Sequence, residues 1–231
     1  LKRVIRGRET MAESVRRGWG GLAGLGLIVL LALPFVIYAA VFGWRGLTSD
    51  ITAETHFQVA GGTAVNAGLF LHMLTGAMIT ALAPVQLVGA LRRRWPLVHR
   101  TTGYLLAACA VPAAVGGLLY IGARGTQGGA LMSAGFTVYG LLLLVSAVQA
   151  VRMARARRFE AHRAWALRFF VLAIGSWLYR LHYTLWYLAT GGLWSEEDFS
   201  GGFDIVQNVA FWLPYLVLVE LWLRRAGPVE R

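Results

Sequence analysis

The chain has 231 residues, 57% of them hydrophobic and only 14% charged, and the apolar residues fall in long runs. That composition excludes an ordinary soluble domain and points to an all-α, polytopic integral membrane protein, since the alternating ten-residue strands of an outer-membrane barrel are absent. The formal charge of +11 gathers in the connections between apolar runs, which reads as membrane topology and lipid-phosphate contact rather than nucleic-acid binding.

The chain opens with a basic segment, residues 1–19, carrying Lys2, Arg3, Arg6, Arg8, Arg16 and Arg17. The run Gly20–Gly43 follows; it is longer than a signal-peptide core of about 7–15 residues and reads as an anchor that stays. Five more spans are expected at Ala67–Leu91, Thr101–Gly122, Leu131–Val151, Arg163–Ala189 and Asp204–Leu223, each near the ~20 apolar residues needed to cross a bilayer. The expectation is therefore one membrane domain over 20–225, six transmembrane helices in an antiparallel bundle, and a tail at 226–231. Short connections make sequential helices antiparallel neighbours.

If six helices alternate, 19 of the 22 Lys and Arg residues fall on one side of the membrane. The other side holds Arg45 and Arg124 with the acids Asp50, Glu54, Glu196, Glu197, Asp198 and Asp204. The positive-inside rule then places both termini in the cytoplasm of a bacterial inner-membrane protein. Trp19, Trp44, Trp95, Trp165, Trp194 and Trp222 fall near proposed helix ends, where an amphipathic ring prefers to sit. Two basic connections also echo one another, RRRWPLVHR at Arg92–Arg100 and RARRFEAHR at Arg155–Arg163. The 63-residue spacing fits a two-helix repeat within 67–189; chance similarity of basic turns is the other reading.

The richest stretch is Ala161–Ala189, which puts His162, Arg163, Arg168, Arg180 and His182 on or beside one span. Ionisable groups at membrane depth cost a few kcal/mol and normally face protein, water or a cofactor. At about 1.5 Å per residue, His72 and His182 match in depth near the acidic end, and His99 and His162 match at the basic end. Two depth-matched pairs suit bis-histidine ligation of haem b, because imidazole is a standard axial ligand. The outer pair is the favoured one: Gly68, Thr75 and Gly76 clear space beside His72, and Tyr179 and Trp186 flank His182. Histidines hydrogen-bonded across the bundle, and helix-start anchoring for His99 and His162, are the alternatives. His162 and His182 lie about 200° apart on one straight helix, so they serve separate clefts unless the helix starts later.

Arg180 has no acid at its depth within the spans. Its counter-charge is expected to be a propionate, a lipid phosphate, a quinone or substrate carboxylate, or Asp204 reaching in; snorkelling is the alternative. Arg168 is expected to snorkel. Gln86, Gln149 and Gln207 are expected to bond between helices. Cys109 is the lone cysteine, which removes intrachain disulfides, CxxCH haem attachment and cysteine-held clusters.

At His72, HRTTGY (His99–Tyr104), HRAWALRF (His162–Phe169) and Arg180, the chain resembles an uncharacterised bacterial family of predicted membrane proteins, domain-of-unknown-function family 2306. The match covers roughly the second to fifth spans and brings no activity with it. In layout the core is also similar to cytochrome b561-type four-helix proteins, a resemblance that implies two b-type haems held by paired histidines. Here, however, the HR motifs sit at helix starts and one helix holds two of the four histidines. The leading expectation is a haem-b electron-transfer protein that works with quinone and a redox partner or a larger membrane complex. The alternatives are a non-catalytic accessory or assembly subunit and a small transporter.

Overall fold

The structure, a computed structural model, describes the backbone of residues 2–59 and 61–225, and side chains within these ranges from residue 23. The tail 226–231 and the side chains of the basic segment 1–19 lie outside the described residues. Nine helices connected by turns make up the described fold: α1 Lys2–Thr48, α2 Thr63–Gln86, α3 Gly89–Arg94, α4 Pro96–Arg124, α5 Gly129–Arg155, α6 Phe159–Ala173, α7 Gly175–Thr190, α8 Gly202–Ala210 and α9 Leu213–Arg225. Five stretches are long and apolar enough to cross a membrane, and the bent pair α6–α7 makes a sixth. The leucines and valines left on the outside, such as Leu30, Ile37, Leu119 and Leu141, form the surface that lipid tails require.

Helices α2, α4, α5 and α6 close a ring: α2 meets α4, α4 meets α5, α5 meets α6, and α6 meets α2. Helix α1 packs on α2, while α8 and α9 pack on α5 and α6. The core inside is built mostly from small and medium residues, including Ile79, Ala83, Leu106, Ala110, Ala113, Leu143, Ala147 and Leu172, with Tyr139, Phe169 and Phe211 filling the remainder. Small residues set the closest approaches, as expected where van der Waals contact must hold helices together in lipid. A Cβ on Gly116 of α4 would sit 2.1 Å from the Gly68 carbonyl oxygen of α2. Gly43 of α1 touches the α2 backbone at Phe70 and Leu74 in the same way. The space expected beside His72 at Gly68 is thus taken by α4; only Gly76 faces open space.

The fifth span is not the straight helix expected. It breaks at Ile174 and turns by 43° between α6 and α7. Gly-Ser pairs are a recognised cause of kinks, and Gly175–Ser176 sits at this one. Gly175 is required by packing: a Cβ there would meet the Tyr139 ring at 2.9 Å. The Trp177 amide bonds back to Ile174 instead of Ala173. Carbonyls freed at the break find side chains from other helices, since nothing in lipid can replace a lost backbone bond. The Tyr139 hydroxyl donates to the Leu172 carbonyl at 2.6 Å, and Thr80 donates to the Ala173 carbonyl at 3.1 Å. The sixth span also breaks, between α8 and α9, where Pro214 cannot donate a backbone bond.

Candidate functional site

Each ring helix brings a long polar or imidazole side chain to its Arg-rich end: Gln86 from α2, His99 from α4, Gln149 from α5 and His162 from α6. The Gln86 amide donates to the Thr102 hydroxyl, whose one proton goes to the Val98 carbonyl at 2.7 Å. His162 Nδ1 lies 2.8 Å from the Ala150 carbonyl oxygen. A carbonyl can only accept, so Nδ1 carries the proton, and in the neutral ring Nε2 keeps its lone pair. This is the posture of a metal-ligating histidine, whose second nitrogen is normally anchored on a carbonyl or carboxylate. His99 lies near the start of α4 at the same Arg-rich end, and its Nδ1 is buried with no hydrogen-bond partner. Gln149 Oε1, next in sequence to the carbonyl that anchors His162, is likewise buried without a partner. Buried polar atoms are nearly always paired, so two orphans at one end of the ring mark a place built for something further. Of the glutamines, Gln86 and Gln207 bond between helices as expected, and Gln149 does not.

The opposite end is arranged differently. His72 turns to α4, with Nδ1 2.5 Å from the Ala113 carbonyl oxygen and the ring against Gly117. His182 turns to α8 and α9. Its Nδ1 lies 3.2 Å from Gln207 Oε1 and its Nε2 2.7 Å from the Tyr215 hydroxyl, while Gln207 donates onward to the Tyr179 carbonyl. The structure therefore does not bring His72 and His182 together, and both nitrogens of His182 are committed. The two rings face different neighbours, α4 for His72 and α8 with α9 for His182. Trp186, one turn along α7 from His182, stacks on Phe203.

Tested as a haem seat, the basic end fits: His162 offers a lone pair, and His99 has an unmet polar atom. At the acidic end His72 shares the carbonyl-anchored posture of His162, but iron at His182 would have to displace Tyr215, so no second imidazole is free there. Among the described residues no three His, Cys, Asp or Glu side chains converge.

Two charged residues, Arg168 and Asp204, depart from expectation. Arg168 does not snorkel; it forms a two-pronged ion pair with Glu220 of α9 and its guanidinium lies 4.6 Å above the Trp165 ring. Asp204 does not reach Arg180. It is fully buried and accepts from Tyr183 at 2.6 Å, Ser195 at 2.9 Å and the Glu196 and Gly201 amides at 2.8 and 3.1 Å. Arg180 contacts no acid among the described residues; it donates to the Ser176 carbonyl at 3.0 Å and lies 4.7 Å over the Phe35 ring of α1. Glu220 was the residue overlooked from sequence. The signal was available, since an acid inside an apolar run calls for a cation at the same depth.

The family model described as Predicted membrane protein (DUF2306) matches residues 69–223, from the turn before His72 to the end of α9. The chain belongs to the DUF2306 family. All four membrane histidines, Arg168, Arg180, Asp204 and Glu220 fall inside the DUF2306 match, while α1 lies outside it. No curated protein and no solved structure matches the chain.

Proposed function

We propose that this DUF2306 protein is a haem-b electron-transfer protein of a bacterial cytoplasmic membrane, with both termini in the cytoplasm and the haem held by His99 and His162. The observation that supports this reading is the Nδ1–H bond of His162 to the Ala150 carbonyl, which leaves Nε2 of the neutral ring available at the same end as His99, whose Nδ1 is buried without a partner. The Ala150 bond fixes the His162 ring and its tautomer, and the small residues Ala83 and Ala147 and Gly103 keep side-chain bulk low in that half of the ring. Arg92, Arg93, Arg94, Arg100 and Arg163 supply cations at that end for carboxylates of a bound group. A haem seated there supplies one-electron chemistry. Its exchange partner is proposed to be a quinone or a soluble reductant, alone or within a larger membrane complex.

The test is a reduced-minus-oxidised absorption spectrum of full-length protein from haem-replete cells. A low-spin b-type signal is expected in wild type, lost in both His99→Ala and His162→Ala and kept in His182→Ala, each variant first shown to be monodisperse. A colourless, well-folded wild type would overturn the proposal in favour of a non-catalytic accessory subunit.

A further inference from the structure

Arg180 sits near the middle of the membrane. It lies about 15 Å along α7 from the end at Thr190, and its neighbour Phe35 lies about 20 Å along α1 from Thr48. A long cationic side chain this deep normally bends toward the nearer interface. Arg180 does the reverse. In its bond to Ser176, one turn back along α7, the guanidinium is directed away from the acidic end and toward the membrane centre. It is nonetheless exposed at the molecular surface, on the seam where α7 meets α1.

The seam is a built feature. At its floor, Ala32 of α1 packs on Ile174, Trp177 and Leu178, and the Trp177 indole N–H donates to the Leu31 carbonyl at 3.2 Å. Above this clasp, Phe35 lies against the Arg180 guanidinium, and Tyr38 presents an exposed ring one turn further along α1. One carbonyl and one aromatic face leave most of the five guanidinium donors open.

A charge at this depth needs a counter-charge. Within the described spans, Asp204 is taken by Tyr183, Ser195 and two amides, and Glu220 is taken by Arg168. A second copy offers the same two acids, committed in the same way. The remaining source is the bilayer. We propose that the α1–α7 seam binds the anionic head of a membrane-dissolved amphiphile, a carboxylate or a phosphate, with Arg180 as its counter-charge. The planar guanidinium fork matches both groups, and the opening toward lipid admits an acyl chain while the head is drawn to mid-depth.

The test uses full-length protein in a neutral maltoside detergent. Titration with [1-13C]oleate is expected to give a separate carboxyl resonance that saturates at one equivalent. Native mass spectrometry of the same sample reads any anionic lipid carried through purification. Displacement of the oleate resonance by phosphatidylglycerol identifies a phosphate head as the natural occupant; resistance to displacement identifies a carboxylate. Arg180→Leu and Arg180→Gln should lose the resonance and the carried lipid, and Arg180→Lys should weaken binding at least tenfold. Equal oleate binding and equal lipid content in wild type and either neutral variant would overturn the proposal. Neither readout involves haem, so this result is separate from that of the absorption spectrum.

Discussion

The Arg168–Glu220 pair shows what a single residue decides in this protein. Its two side chains are 21% and 36% exposed, and it ties α6 to α9, elements that otherwise touch through few residues. Arg163, one turn earlier, lies 5.0 Å over Trp222 and adds a second clasp between the same helices. Removing one member of a buried pair leaves the other charge uncompensated at a cost of 3–5 kcal/mol; partial exposure here lowers the expectation to about 2 kcal/mol. Glu220→Gln should therefore lower resistance to heat or SDS unfolding. The double variant Arg168→Leu with Glu220→Leu should recover most of that loss, because no lone charge remains. Equal stability of all three proteins would show that the pair carries no net energy. At this scale the sequence located the residues better than it joined them. His99 and His162 were legible as a depth-matched pair, yet interfacial position made them look cheap and structural. Which ring nitrogen is anchored, and which polar atom is orphaned, depends on helix rotation, and depth along a span carries no information about rotation.

Among the elements, the bend in the fifth span has the largest consequence for the site. A straight helix carries His162 and His182 on nearly opposite faces by periodicity alone. The break at Ile174 instead sends α6 into the four-helix ring and α7 toward α1 and α8. The Gly175–Ser176 pair was visible in the sequence, but the partners that make a break tolerable, Tyr139 and Thr80, lie on other spans. Most span limits were legible to within five residues, but α1 runs from Lys2 to Thr48, past both ends of the expected Gly20–Gly43, and the second span ends at Gln86 and not Leu91. There the Leu87 and Val88 amides tighten onto Pro84 and Val85, and α3 starts afresh with its arginines at the surface. Two substitutions test this account. Tyr139→Phe leaves the Leu172 carbonyl unsatisfied and should cost about 1–3 kcal/mol in thermal or SDS unfolding. Gly116→Ala inserts a methyl where the Gly68 carbonyl already stands; overpacking of this kind costs about 1–3 kcal/mol, and folded yield should fall unless α2 and α4 separate. A Gly116→Ala protein as stable as wild type would mean that this crossing is not tight.

Across the whole molecule, charge and packing together define an orientation that can be tested without any cofactor. The two connections and the C-terminal end of α9 that carry Arg92, Arg93, Arg94, Arg100, Arg152, Arg155, Arg163, Arg224 and Arg225 all lie at one end of the helix ring, the end that gathers His99 and His162. The opposite end holds the Asp50–Gln58 turn, the short loop at Thr126 and the acidic loop Glu196–Asp198, with Arg45 paired to Glu54 across the first of these. Retention of Lys and Arg on the cytoplasmic side is strongest for short loops close to the spans, and these loops are short. The expectation is therefore that the His99–His162 end faces the cytoplasm and the Asp204 network faces outward. Cys109 is buried and conveniently removed. In that background, single cysteines at Ser49, Thr126 and Ser195 should react with a membrane-impermeant maleimide in intact cells, while Arg94→Cys should react only after lysis. Labelling of Arg94→Cys in intact cells, with the other three silent, would invert the protein. It would also move the proposed haem to the outer face, where a cytoplasmic reductant could not reach it directly.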